Sequence, residues 1–271
     1  MRRAALACGV AALVFFVAFP FAWMIATAFK PSHQIFVSPP ALLPSEFTLD
    51  NLARLFQQTR FVTYLANSVL VATATVVLTL AVAVPGAYSL TRYRFRGREA
   101  ISATILFTYM FAPIMIIVPF YVLMRALGLV NTHLGLVLAY ATFCLPFALW
   151  LLRTFFQSIP PELEEAAMTD GASRAQTVLR VVLPLALPGV IATGTFTFIL
   201  AWNDYIFARV LLSADELKTL PVGIADLYNA SVVDWGMIMA AGMLVLVPVL
   251  VVFVIVQRYL VAGWGAGGVK G

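Results

Sequence analysis

The chain has 271 residues, 62% of them hydrophobic and only 11% charged, with a formal net charge of +5 and a mean hydropathy of +0.97. A water-soluble domain of this length carries about 25% charged residues to cover its surface. That sets a soluble globule aside and indicates an integral membrane protein.

Six windows carry no Lys, Arg, Asp or Glu: 4–29, 61–91, 100–124, 126–152, 181–203 and 235–257. A helix rises about 1.5 Å per residue, so roughly 20 apolar residues cross the hydrocarbon core. Each window is long enough, and each exceeds the roughly 10 alternating residues of a barrel strand. The expected fold class is an all-α integral membrane protein. Its six transmembrane helices fall at about 8–28, 63–90, 101–124, 135–156, 185–208 and 235–259. No further domain is discerned, so residues 1–271 read as one transmembrane domain.

In chain order, Arg2-Arg3 and Ala26-Thr27-Ala28 imitate a signal peptide and its cleavage site. The apolar run between them is longer than the usual core of about 7–15 residues, so it reads as an uncleaved first span. The segment 30–62 carries Pro31, Pro39, Pro40 and Pro44. Within it, Leu49, Leu52, Leu55 and Phe56 have the spacing of an amphipathic helix, suited to the membrane surface. The loop TRYRFRGRE, 91–99, places arginines at 92, 94, 96 and 98. With the N-terminus inside, the inner segments hold 11 of the 17 basic residues and the outer ones 6. Both termini are therefore expected in the cytoplasm. The arginine loop is a topology anchor in contact with anionic membrane lipid, not a nucleic-acid site.

Spans two to five carry Pro85, Pro113, Pro119, Pro146, Pro184 and Pro188. These prolines read either as ordinary kinks or as bends around a pathway that opens. Tyr109 and Met110 beside Pro113 are candidate pathway residues. Trp202, Asn203 and Asp204 near the end of span five combine an aromatic face with hydroxyl-pairing groups, as sugar sites do. A charge at mid-membrane costs about 2.5–3.5 kcal/mol, so Asp204 belongs at the outer interface or in a wet cavity. Cys8 and Cys144 fall inside spans, and His33 and His133 stand alone in outer segments. That leaves no disulfide framework and no expected metal site. With no phosphate-binding loop and no HExxH, no catalytic residue is assigned. An ion-coupled transporter would need carboxylates at mid-span, and none is placed there.

Residues 158–184 break the pattern, with three glutamates, an aspartate and two arginines between two apolar spans. Pro160-Pro161 suit a helix start, and Glu162, Glu164 and Glu165 suit its positive end. Leu163, Ala166 and Ala167 share a face. Gly171 is placed to end the helix in a left-handed cap, and Ser173 to start another. The product is a short helix, a corner and a second helix: the shape of a docking knob or of a solvated connecting loop.

Glu165-Ala166-Ala167, three residues, Gly171, nine residues, then Val181-Val182-Leu183-Pro184 resembles the EAA loop of ABC importer permeases, with Val181 in place of the usual isoleucine. Ala201-Trp-Asn-Asp-Tyr-Ile-Phe207 and Thr219-Leu-Pro-Val-Gly223 resemble the carbohydrate group of that family. The C-terminus, Gly267, Gly268, Val269, Lys270 and Gly271, resembles the tail of the smaller maltose-transporter permease. The resemblance implies a type I importer fold and a coupling helix in which Glu164, Glu165, Ala166, Ala167, Asp170, Gly171, Leu183 and Pro184 meet an ATPase. It implies a tail, 261–271, that reaches the ATPase pair. The implied partners are a second permease, an ATP-binding cassette dimer, a solute-binding protein and a sugar, with glycerol-phosphate as the alternative substrate. ATP and Mg would sit in the partner, and this chain would bind no cofactor.

Overall fold

The structure, a computed structural model, describes residues 2–267. In chain order its helices are α1 Arg2–Ala28, α2 Ser32–Ile35, α3 Asp50–Gln58, α4 Phe61–Arg92, α5 Arg98–Tyr109, α6 Ile117–Ala126, α7 His133–Gln157, α8 Glu162–Thr169, α9 Arg174–Thr177, α10 Leu183–Leu185, α11 Leu187–Asn203, α12 Ile206–Leu211, α13 Leu220–Tyr228 and α14 Trp235–Gly267. Among the described residues there is no strand.

Four segments are each long and apolar enough to cross a membrane: Leu6–Ala28, Phe61–Arg92, His133–Gln157 and Trp235–Gln257. Two bent pairs raise the number to six. Spans three and five, expected to be continuous, are therefore broken. α5 meets Pro113–Ala126 at 92°. Pro113 has no amide hydrogen and forces Ala112 to extended backbone (φ −63°, ψ 125°). The other pair, Arg174–Leu185 and Leu187–Asn203, meets at 76°. Pro184 and Pro188 remove two helical donors there. The chain answers with a π turn at Val178–Val182, where the Leu183 amide reaches the Val178 carbonyl, and a break at Ala186. Span five also ends at Asn203 rather than 208, because Asp204 turns extended (φ −70°, ψ 130°). Its carboxylate then accepts the amides of Phe207 and Ala208 to begin α12. Pro85 and Pro146 lie inside unbroken helices. α14 runs to Gly267, beyond the expected end at 259, so the glycine-rich run begins inside the helix. Gly268, Val269, Lys270 and Gly271 lie outside the described residues.

The chain divides into two compact units, Met1–Leu65 with Thr219–Leu250, and Ala66–Lys218 with Val251–Gly271. In the first, Asn51 of α3 is buried. Its side-chain amide donates to the carbonyls of Ala28 (2.9 Å) and Lys30 (2.8 Å), where α1 has run out of internal partners. Arg54 donates to Asn51 Oδ1 (2.6 Å) and pairs with Asp234 (2.5 Å). Asp234 also accepts the Met237 amide and so caps α14. Gly236 leaves room for this cluster, because a Cβ there would strike the Asn51 side chain. The Lys30 ammonium lies over Trp23 and donates to Ala41 O (2.6 Å); burial holds its pKa below the usual lysine range. α3 is helical as its spacing predicts. Leu55 is buried, but Leu49 and Phe56 are exposed, and the second buried position is the polar Asn51.

In the second unit α4, α7 and the α8–α11 region share a core of Ala83, Ala87, Ala148, Leu152, Phe156, Val182 and Ala186. Ala83 and Ala87 of α4 and Ala148 of α7 stand in this one core, and a Cβ on Gly189 of α11 would collide with the ring of Phe155. Asn131 Oδ1 accepts the amides of Ser213 and Ala214, and the Asn67 amide donates to the carbonyls of Glu216 and Lys218. These two asparagines tie down the connection after α12.

Asn51→Leu keeps the volume but strands the Ala28 and Lys30 carbonyls and removes one acceptor from Arg54, which keeps Asp234. We expect it to destabilise the protein by about 2–4 kcal/mol, read as a lowered unfolding midpoint in detergent by scanning fluorimetry. Phe56→Ala, on the exposed side of the same helix, should stay within about 0.5 kcal/mol of the parent.

Candidate functional site at the loop helix

α8 begins directly after Pro160-Pro161, with Pro161 as its N-cap and three glutamates in its first turn. Its end is closed by two hydrogen bonds, from the Ala172 amide to Ala167 O (3.0 Å) and from the Gly171 amide to Met168 O (3.1 Å). Gly171 takes the left-handed conformation that this closure requires (φ 89°). Ser173 then starts α9 with a reciprocal box: its hydroxyl accepts the Gln176 amide, and the Gln176 side chain accepts the Ser173 amide. The corner at Gly171 and the cap at Ser173 stand where the sequence reading puts them.

The buried face differs from the expected one. Leu163 is 45% exposed and Ala166 is exposed, while Glu164 is the buried residue of the helix. Its carboxylate accepts the Tyr88 hydroxyl on one oxygen (2.7 Å) and the Arg92 Nε on the other (2.5 Å). The same guanidinium donates Nη2 to Ile159 O (2.8 Å), just before the proline pair. Tyr88 stands edge-on to Phe156 and to Tyr93, and the Arg174 guanidinium lies over the Tyr93 ring. A buried carboxylate needs both charge and hydrogen bonds, and this one has each. Glu165, Met168 and Asp170 point outward, Ala167 is half-buried, Leu183 is half-buried on the π turn side, and Pro184 is exposed. Tyr88 and Arg92 were missed by sequence reasoning. Arg92 reads there as one of four topology arginines, and no spacing rule ties it to a residue 72 positions away.

A second feature lies in the same unit. A cavity of about 610 Å³ opens at the break between α5 and α6, lined by Tyr109, Met110, Pro113, Tyr140, Phe143 and Asp204 among others. Asp204 accepts the Tyr140 hydroxyl (2.9 Å). Of the five expected path residues, Tyr109, Met110 and Asp204 meet here. Trp202 does not: it is buried and stacked on Phe198 with ring centroids 5.5 Å apart. Asn203 is exposed and bonded to Ile199 O.

Residues 80–265 match the family described as the binding-protein-dependent transport system inner membrane component. The chain is 37% identical to the inner membrane ABC transporter permease protein YcjP of Escherichia coli (strain K12), over 100% of this chain and 98% of that one. It is 33% identical to the trehalose/maltose transport system permease protein MalG of Thermococcus litoralis, over 100% of this chain and 98% of that one. Its fold matches a chain of a solved bacterial ABC transporter involved in the import of the acidic polysaccharide alginate. That match has a TM-score of 0.81 and 28% identity, and covers 94% of this chain and 95% of the other. With its helical spans and the Glu165-Ala166-Ala167…Gly171 corner, the chain belongs to the family of multi-pass inner-membrane permeases of binding-protein-dependent ABC transport systems, where it groups with the sugar-uptake permeases.

Proposed function

We propose that this permease carries a di- or oligosaccharide inward, driven by ATP hydrolysed in a partner, and that residues 158–184 form its coupling loop. The observation that carries the reading is the outward surface of α8. Glu165, Ala166 and Met168 face out, Gly171 makes a tight corner beside them, and the helix itself is anchored from behind by Glu164. A small-residue surface with a charged rim and a fixed orientation suits insertion into a cleft. The chain works as one permease domain, residues 1–271, beside a second, similar permease. An ATP-binding cassette dimer holding ATP and Mg lies underneath, and a solute-binding protein lies outside. The chain supplies no catalytic group of its own. Both termini face the cytoplasm, Arg94 and Arg96 contact anionic lipid, and the tail from Gly267 reaches the ATPase pair.

The cavity at the α5–α6 break is the candidate substrate path or outer gate. Its rings, Tyr109, Tyr140 and Phe143, suit a sugar face, and its charged group is the Asp204 carboxylate. Among the described residues no Lys or Arg lines it, which favours an uncharged saccharide over glycerol-phosphate.

Affinity purification from the native membrane should recover an ATP-binding subunit and a second six-span permease; a chain that comes out alone under gentle detergent would overturn the coupling reading. Gly171→Asp puts a side chain at a left-handed position, at a cost of about 1 kcal/mol, and adds charge at the corner. It should leave membrane insertion intact and lower ATPase recovery and uptake. Deleting 267–271 should spare assembly and disturb ATPase stimulation. In a panel of trehalose, maltose and glycerol-phosphate, Asp204→Asn, which keeps an oxygen acceptor for Tyr140 and the α12 amides, should lower saccharide uptake about tenfold, the loss of the charge on one hydrogen-bonding group, with ATPase recovery unchanged.

A further inference from the structure

The orientation of α8 does not come from an apolar face, because Glu164 alone of its eight residues is buried. The chain that follows packs against α8 but is an irregular path. α9 has four residues, the π turn replaces α-helical bonding over Val178–Val182, and the backbone breaks at Ala186 before turning by 76°. Such a path bends under load. The connection to α4 is of another kind. Arg92 holds both the Glu164 carboxylate and the Ile159 carbonyl, so one guanidinium spans the proline pair that leads into α8. Tyr88, one turn earlier on the same face of α4, holds the other carboxylate oxygen. α4 is a single helix of 32 residues that continues without a break past Pro85, so it connects this junction to the whole of span two.

We propose that Tyr88, Arg92 and Glu164 are positioning residues of the coupling step. They lock α8 to α4, so that displacement imposed on α8 by the ATPase moves span two with it as one body. The proposal rests on the docking reading above and adds the route. An ATPase shifts the permease only if its grip differs between two arrangements, and that difference must pass through elements stiff enough to keep it. The branch through Ala186 is compliant, whereas the branch through the buried ion pair is fixed by three hydrogen bonds from one helix. A charge left alone at this site would be uncompensated, so the pair stays closed while the helices move.

The test uses the whole transporter with its ATPase, partner permease and binding protein. Spin labels replace exposed residues, Glu162→Cys on α8 and Val77→Cys on α4, in a Cys8→Ala, Cys144→Ala background. The inter-label distance is read without nucleotide and after trapping with ATP, Mg and vanadate. With the junction intact, one distance is expected in both states. With Glu164→Gln, and more weakly with Tyr88→Phe, the trapped state should shift by roughly 1–5 Å, the scale of helix displacements in switching proteins, while the ATPase still copurifies. Three outcomes overturn the proposal: a distance that changes with nucleotide in the parent, a distance that stays fixed in both variants, or loss of ATPase recovery in both variants, which would assign the junction to docking alone. Absence of ATPase from the parent preparation would instead overturn the coupling reading itself. Tyr88→Phe removes a single hydroxyl, so it keeps the test decisive if Glu164→Gln fails to fold.

Discussion

A carboxylate cannot be buried beside an apolar core without a cation and donors to meet it, and in this chain that constraint fixes the loop helix. Glu164 turns inward because Arg92 and Tyr88 stand ready at the end of α4. Once it does, the helical repeat leaves no freedom for the other side chains. Glu165, Ala166 and Met168 must face away, and Leu163 goes only partly under cover. The Gly171 corner and the Ser173 cap then redirect the chain toward span five with the outward face already set. The geometry of the whole loop follows from one ion pair placed behind it.

The other spans are shaped by missing backbone donors. Inside a membrane every amide and carbonyl must find a partner within the protein, so a proline either sits where neighbours absorb its gap or breaks the helix. Pro85 and Pro146 are absorbed. Pro113 is not, and its break opens the cavity that Asp204 and Tyr140 line. At Pro184 and Pro188 the chain passes through a π turn and a bend before α11 begins. Asp204 makes the last interruption, giving up helical backbone to cap α12 with its own carboxylate.

Much of this was legible in the amino-acid sequence, for reasons that differ from place to place. The spans declare themselves because hydrocarbon tolerates no charge over about 20 residues. Gly171 and Ser173 were readable because caps are local: the residue that satisfies the end of a helix lies within a few positions of it. The face of α8 was not readable. Small and apolar Leu163, Ala166 and Ala167 suggest one inward side, and the ion pair imposes another, through a partner distant in the chain. Asn51 escaped notice for the same cause, since its value lies in the orphan carbonyls of α1 and not in its own neighbours. Trp202 looked like a stacking platform because aromatic residues near a membrane surface often are; packing on Phe198 uses its ring within the protein instead.

Stiff and compliant elements alternate along the second unit, and the alternation has a mechanical reading. α4 and α7 cross without interruption, while the segments before α6 and α11 bend sharply. Bodies that move need both kinds: rigid members to carry displacement and weak points to take up the change in angle. The cavity lies at one weak point and the loop helix feeds into the other, yet the loop helix is bonded to a rigid member. Exposed Leu163 and Met168 on its outer face leave apolar surface uncovered on this chain alone, and such surface is stabilised by a partner that removes it from water. An anchored helix with an uncovered apolar edge is poised to receive force from outside and to pass it to a helix that crosses without a break.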